Sequence, residues 1–128
     1  MKSASKAPKA RISHTNAATI TTSGVRVRVL VDSSVAMGPG KADLLDAIGA
    51  TGSISAAARS MGMSYRRAWM LVDTMNACFR RPLVTTAKGG AEGGGAALTA
   101  TARKALREYR AVARMVDKHF AKLLKRRV

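Results

Sequence analysis

The sequence has few of the residues on which metal, redox and catalytic sites depend. Its 128 residues include one cysteine, two histidines and only seven acidic residues. The lone Cys78 excludes a disulfide within one chain. His14 and His119 stand far apart, and no cluster has the ligand spacing of a zinc site. Because no acid, base and nucleophile form a recognisable set, we expect neither an enzyme nor a bound cofactor.

Long apolar runs are also absent. No apolar stretch approaches the ~20 residues that a membrane-spanning helix needs. The N-terminus is basic but lacks the apolar segment of a secretory signal. We therefore expect a cytoplasmic protein without a membrane partner, with a length that suits one domain and its tails.

Positive charge is what the chain has in excess. Its 23 lysines and arginines against seven acids give a formal net charge of +16. Charge of one sign at this level attracts polyanions strongly. Nucleic acid is therefore favoured as the partner over the alternative of a general solubilising charge.

The first half of the chain divides into an arm and three short segments. Residues 1–24 contain lysine, alanine, serine and threonine with few large apolar side chains, which predicts a disordered basic arm. The arm serves either as a solubilising tail or as a non-specific phosphate contact. Strict alternation over residues 25–31 predicts a strand, residues 32–40 a loop, and residues 41–51 a helix.

The run over residues 52–76 is the most informative part of the sequence. Two short helices fit it, with serines at their starts and a turn at Gly62 between them. That arrangement is typical of a helix-turn-helix, whose second helix enters the DNA major groove. In the second helix, to about residue 79, one face is apolar and predicted to be core: Tyr65, Ala68, Trp69, Val72, Met75 and Phe79. The opposite face, predicted to meet base edges, carries Arg66, Arg67, Met70 and Thr74.

A glycine cluster at residues 89–95 lies between two β-prone segments, residues 83–87 and 96–98. A hairpin with glycines at its tip fits the wing of a winged helix better than a phosphate-binding loop. We predict that phosphates are contacted from the helix starts and this wing by Ser53, Ser55, Ser64, Tyr65, Lys88, Gly89 and Gly90.

A long final helix is predicted from Thr99 to about residue 124. Its later apolar positions alternate steps of three and four residues, which is the spacing of a dimerisation seam. The residues predicted to form this seam are Leu106, Tyr109, Ala113, Val116, Phe120 and Leu123. The alternative is that this helix folds back on its own domain. The predicted fold over residues 25–128 is mainly α, a winged helix-turn-helix with a small β-hairpin wing and a long C-terminal dimerisation helix.

Residues 52–76 and 89–99 resemble the N-terminal DNA-binding domain of the ModE family of molybdate-responsive regulators. The matching residues are Gly52-Ser53-Ile54-Ser55, Ala57 or Ala58, Gly62, Ser64-Tyr65, Ala68-Trp69, Met75-Asn76, Gly89-Gly90, Gly93-Gly94-Gly95-Ala96 and Leu98-Thr99. The resemblance implies DNA binding and a dimer in which the final helix takes part. In that family molybdate binds to separate C-terminal β-barrel domains, for which no residues follow Val128. We therefore expect that this chain does not sense the oxyanion by itself.

The expected function is that of a homodimeric regulator that binds specific sites in double-stranded DNA. Two alternatives stay open: an architectural nucleoid protein with weak site preference, and a molybdate-binding protein that uses the same scaffold. Salt dependence distinguishes the regulator from the architectural protein. Binding dominated by phosphate contacts, as expected for the architectural protein, falls steeply with salt and shows little site preference.

Overall fold

The computed structural model describes residues 26–87 and 95–125, and most of these residues are helical. The elements in chain order are β1 (Val29–Val31), β2 (Ser34–Met37), α1 (Pro39–Thr51), α2 (Ile54–Ser60), α3 (Tyr65–Cys78), β3 (Val84–Thr86), β4 (Ala96–Leu98) and α4 (Ala100–Ala121). The predicted mainly α class is confirmed. The predicted arm and wing residues Lys88, Gly89 and Gly90 lie outside the described residues.

The segment before α1 differs from its prediction. The expected loop over residues 32–40 contains β2, which pairs antiparallel with β1, and the first two residues of α1. Asp32 and Ser33 join the strands with positive φ at both positions, the geometry of a tight hairpin turn. The predicted strand is also shorter, because Val29 pairs with Met37 and the chain turns into α1 immediately afterwards. Residues upstream of Val29 therefore have no partner in β2.

Helix boundaries follow local side-chain chemistry. The hydroxyls of Ser53, Ser64 and Thr99 accept backbone N–H groups in the first turns of α2, α3 and α4, at 3.0, 3.0 and 3.1 Å. Gly52 and Gly62 follow α1 and α2 with φ of 72° and 68°, a region that a side chain would make costly. The serines at the starts of α2 and α3 and the turn at Gly62 agree with the prediction from the sequence.

The hydrophobic core lies between α1, α2, α3, the two hairpins and the start of α4. Its largest fully buried side chains are Met37, Leu44, Leu45, Ile48, Val72, Met75 and Leu83. Small residues let the helices approach closely, since Ala57 of α2 and Ala68 of α3 are completely buried. Burial of each large apolar side chain stabilises the fold by roughly 1.5–3 kcal/mol.

The second hairpin is tied to α3 by one side chain. Asn76 accepts the N–H groups of Leu83 and Val84 at 2.8 and 3.3 Å and donates to the Val84 carbonyl at 3.3 Å. Strand β3 then pairs with β4, and the Ala87 N–H donates to the Gly95 carbonyl at 2.9 Å. The end of α3 and the base of this hairpin therefore form one hydrogen-bonded unit.

Among the described residues, the contacts of α4 with the hydrophobic core lie in the first half of the helix. Ala102 and Leu106 lie in the core, and Ala105 and Tyr109 pack against it. Leu106 is 7% exposed, so little of its surface remains for the predicted seam. Arg110 pairs with Asp46 of α1, and beyond it no described residue of α4 belongs to the core.

Candidate nucleic-acid interface

Helices α2 and α3 are joined by a turn of four residues. The Gly62 and Met63 N–H groups donate to carbonyls of α2 at 3.2 and 3.0 Å, which closes the end of that helix. Ser64 then caps α3, which packs on the core through Ala68, Val72 and Met75. With this face buried, the opposite face of α3 is directed away from the core.

The outward face of α3 carries most of the predicted base-reading residues. Arg66, Arg67 and Met70 are exposed, and Met70 is 60% exposed to solvent. Thr74 is half-buried at the edge of this face, and its hydroxyl donates to the Met70 carbonyl at 2.9 Å. The face therefore combines arginine donors, which can hydrogen-bond to base edges, with an exposed apolar side chain, which can contact a thymine methyl group.

The predicted phosphate-binding serines already have roles within the protein. The hydroxyls of Ser53 and Ser64 accept from backbone N–H groups, and that of Ser55 accepts from the Arg59 guanidinium at 3.0 Å. Each hydroxyl still carries a proton that it can donate. Capping therefore explains why serines stand at Ser53 and Ser64, and contact with phosphate stays a prediction for all three.

Tyr65 differs from its predicted place on the core face of α3. Its side chain is 54% exposed and meets the half-buried Trp69 edge-on, with ring centroids 6.2 Å apart. The reason is position, because Tyr65 is the first residue of α3 and lies beyond the edge of the packed core. Its hydroxyl is consequently on the surface, as a phosphate contact requires.

Two further residues belong to this surface and were not predicted. Asp73 is exposed on the α3 face that carries Arg66 and Met70, at helical spacings of seven and three residues. Lys41 of α1 lies close enough to α3 to interact with Arg67: partial burial, and then the charges of Arg67 and Arg28, lower its pKa. Periodicity reveals Asp73, whereas no local signal in the sequence brings Lys41 to Arg67.

The predicted seam of α4 is divided by its position along the helix. Leu106 and Tyr109 contact the core of their own domain, and Ala113 and Val116 are half-buried. Farther along, the exposed large apolar side chains of α4 are Val112, Met115 and Phe120, and Leu123 and Leu124, just after the helix, are 75% and 41% exposed. Val112 and Met115 were absent from the predicted seam. Helical spacing places Val112 beside the seam residues Val116 and Leu123, whereas Met115 lies on another side of the helix, near Lys118 and Lys122.

The described residues form neither a metal site nor a membrane-spanning helix. Within residues 26–87 and 95–125, no three His, Cys, Asp or Glu side chains come together as a metal site would require. In the same ranges no helix has the length and apolar character needed to cross a bilayer. No polar or charged residue of these ranges is buried in the interior.

Comparison with known proteins gives the chain several relatives, although no protein-family model matches it. It is 49% identical over 84 residues to the molybdenum-pterin-binding protein MopB of Rhodobacter capsulatus, covering 66% of this chain and 31% of that protein. It is 39% identical over 87 residues to the molybdenum transport protein ModE of Azotobacter vinelandii, covering 68% of this chain and 32% of that protein.

A third relative is the DNA-binding transcriptional dual regulator ModE of Escherichia coli (strain K12). The identity is 38% over 82 residues, which cover 64% of this chain and 31% of that regulator. The chain thus spans about a third of the length of the curated relatives it matches. The resemblance to the ModE family is confirmed: this chain is a relative of ModE and MopB over that third of their length.

Proposed function

We propose that the chain is a sequence-specific DNA-binding transcriptional regulator with a winged helix-turn-helix. The observation that carries the proposal is the outward face of α3, which directs Arg66, Arg67 and Met70 away from the core just after the Ser64 cap. Arginine at the start of such a helix can donate two hydrogen bonds to guanine O6 and N7. Exposed Met70 is suited to apolar contact with a thymine methyl group.

The hairpin of β3 and β4 is proposed to act as the wing. Asn76 fixes the start of β3 to the end of α3, so both elements would approach one duplex with a constant relative position. Lys88, Gly89 and Gly90 lie between the paired strands in sequence, where a wing contacts phosphates. Lys41 adds a cation beside Arg67, and a phosphate near both would offset their mutual repulsion.

The distal half of α4 is proposed to join two copies. Val112, Phe120 and Leu123 expose apolar surface on one side of the distal half of α4 and the residues just after it, where no described residue belongs to the core. A second copy can bury these side chains and place two α3 helices on successive half-sites, about 34–36 Å apart along the DNA. A partly palindromic operator follows from that symmetry.

The named relatives also support a second candidate. MopB is named as a molybdenum-pterin-binding protein, so binding of a molybdenum compound is the alternative function. We place it second because tight oxyanion binding needs several converging donors in a dry pocket, while the cations of α3 are exposed and screened. The architectural alternative follows from the net charge of +16.

Selection from a random duplex library tests the three candidates together. Repeated selection by the wild-type protein should enrich one partly palindromic motif, which should bind roughly 10³-fold or more above unrelated DNA at physiological salt. Binding without an enriched motif would favour the architectural protein. Micromolar binding of molybdate in calorimetry against excess sulfate, with no enriched motif, would favour the molybdenum-binding candidate.

A further inference from the structure

One side of α4 carries exposed cations along most of the helix. At a rise of 1.5 Å per residue, Lys104 and Lys122 are about 27 Å apart along the axis. Helical spacing places the five free cations on one side: Lys104, Arg107, Arg114, Lys118 and Lys122. We call these five residues the basic stripe of α4.

The stripe excludes the two arginines of α4 that already have partners in the fold. The Arg103 guanidinium donates to the Leu98 carbonyl at 3.1 Å, and Arg110 forms an ion pair with Asp46. The five stripe residues form no ion pair with an acid within the part of the chain that the structure describes. Their charges therefore remain available to an external partner.

Like charges repel one another within the stripe. Arg114 and Lys118, and again Lys118 and Lys122, are like charges four residues apart, which destabilises a helix by ~0.2–0.5 kcal/mol for each pair. Soluble surfaces usually intersperse both signs of charge. The helix dipole favours Lys118 and Lys122 at the C-terminal end of α4, and a polyanion bound along the stripe would offset the repulsion between its members.

We infer that the basic stripe of α4 binds the phosphate backbone of double-stranded DNA, as a second surface besides the face of α3. The choice of DNA rests in part on the proposed function, whereas the surface rests on the stripe itself. Double-stranded DNA carries one negative charge per ~1.7 Å of axis, so a stripe of about 27 Å can lie along many phosphates.

Other polyanions fit the helix less well. A single-stranded nucleic acid would stack its bases on aromatic side chains, but Tyr109 and Phe120 lie on the opposite side of α4 from the stripe. A membrane surface would have to receive the apolar side of α4. In the first half of the helix Ala102 and Leu106 bury that side in the protein core, so it cannot enter lipid.

The proposed dimer leaves the stripe accessible. Val112 and Leu123 lie on another side of α4 from Arg114 and Lys118, as the helical period of 3.6 residues requires. Two copies joined through Val112 and Leu123 would therefore present two basic stripes. Each stripe can contact DNA beside the segment that α3 reads, or a second duplex.

The test compares two variants of the full chain that differ in charge alone. In the neutral variant the five residues become glutamine: K104Q, R107Q, R114Q, K118Q and K122Q. In the control each keeps its charge: K104R, R107K, R114K, K118R and K122R. The measurement is the slope of log K against log salt concentration on a duplex with the selected site and on one of unrelated sequence.

The neutral variant should lose about 0.9 from the slope for each phosphate contact removed, up to about 4.5 for each stripe that contacts the duplex, on both duplexes. The ratio of the two affinities should stay within about twofold, and the control should retain the wild-type slope. An unchanged slope in the neutral variant would overturn the inference. Loss of binding to anionic phosphatidylserine vesicles with no change on DNA would also overturn it, in favour of a membrane surface.

Two features keep the result interpretable. If the fivefold variant does not fold, R114Q, K118Q and K122Q together lie in the half of α4 that the core does not contact, and should still lower the slope. Site preference tests the proposed function, whereas the slope of log K against log salt concentration tests the stripe. A wild-type protein without site preference would therefore contradict the proposed function and leave this test intact.

Discussion

The hydroxyl of Tyr109 donates a 2.7 Å hydrogen bond to the carbonyl of Val27, which precedes it by 82 residues. This bond joins the middle of α4 to the segment before β1. It lies just before Arg110, whose ion pair with Asp46 attaches the same turn of α4 to α1. The two contacts mark the point beyond which α4 leaves the core of the domain.

Replacing Tyr109 with phenylalanine should lower the free energy of unfolding by about 0.5–1.5 kcal/mol, because the ring stays packed while the hydrogen bond is lost. Chemical denaturation at pH 7 measures this difference. The matched control is Tyr65→Phe, since the Tyr65 side chain is exposed and contributes no hydrogen bond to another described residue. Equal effects of the two substitutions would contradict the role given to Tyr109.

Tyr109 also makes the stability of the fold depend on pH. Burial raises the pKa of Tyr109, so the folded state favours the neutral phenol. The stability from Tyr109 is therefore complete below its unfolded pKa of about 10 and is lost as the pH rises through the higher folded value. The stability difference between wild type and Tyr109→Phe should shrink between about pH 9 and pH 11. A constant difference over that range would show that the phenol does not titrate with unfolding.

Asn76→Ala should destabilise the hairpin of β3 and β4. The substitution leaves the N–H groups of Leu83 and Val84 without their acceptor, at a cost of about 1–3 kcal/mol because Leu83 and Val84 are buried. Asn76→Asp is the matched control, since it keeps an acceptor oxygen and loses the donor to the Val84 carbonyl. Denaturation and amide hydrogen exchange at Leu83 measure the effect. Unchanged exchange in Asn76→Ala would contradict this role of the side chain.

Substitutions at Ser64 distinguish its role as a helix cap from direct contact with DNA. Ser64→Ala should lose about 1 kcal/mol of stability with the cap to the Arg67 N–H, while Ser64→Asn restores a capping oxygen. Thermal denaturation checks the cap, and titration with duplex DNA checks the contact. If Ser64→Asn regains stability but not affinity, the hydroxyl contacts phosphate directly. Recovery of both would assign Ser64 to the cap alone.

The local features of the fold were predictable from the sequence, and the long-range ones were not. Ser53, Ser64 and Thr99 act within three residues of themselves, and Gly52 and Gly62 act through their own backbone angles. Helix caps and glycine turns of this kind can be predicted from local sequence patterns. These features account for the correct order of the helices and the second hairpin.

The missed features depend on tertiary packing. Asp32 and Ser33 lack the glycine that usually marks a two-residue hairpin turn, so β2 was assigned to a loop. Leu106 has the period of a seam, but periodicity cannot distinguish the core of its own domain from a partner. Lys41 reaches Arg67 only because α1 and α3 pack on one core.

The oligomeric state is expected to depend on the distal half of α4. Val112→Asp or Leu123→Asp should shift a dimer to monomer, because each would place a charge where the apolar surface of two copies meets. Leu30→Asp, in the exposed strand β1, is the control for the same change elsewhere. Sedimentation equilibrium at micromolar concentration distinguishes the states. A monomeric wild type would contradict the proposed assembly.

The central claim is that α3 reads DNA sequence. Competition titrations should compare wild type, Arg66→Ala and Arg67→Ala on the selected site and on duplexes with each base pair changed. At least one of the α3 variants should lose about 1–3 kcal/mol on the selected site and lose its preference at one base position. The double variant Arg80→Ala and Arg81→Ala, which removes two exposed charges beyond α3, should weaken all duplexes alike. Full site preference in both Arg66→Ala and Arg67→Ala would contradict the account.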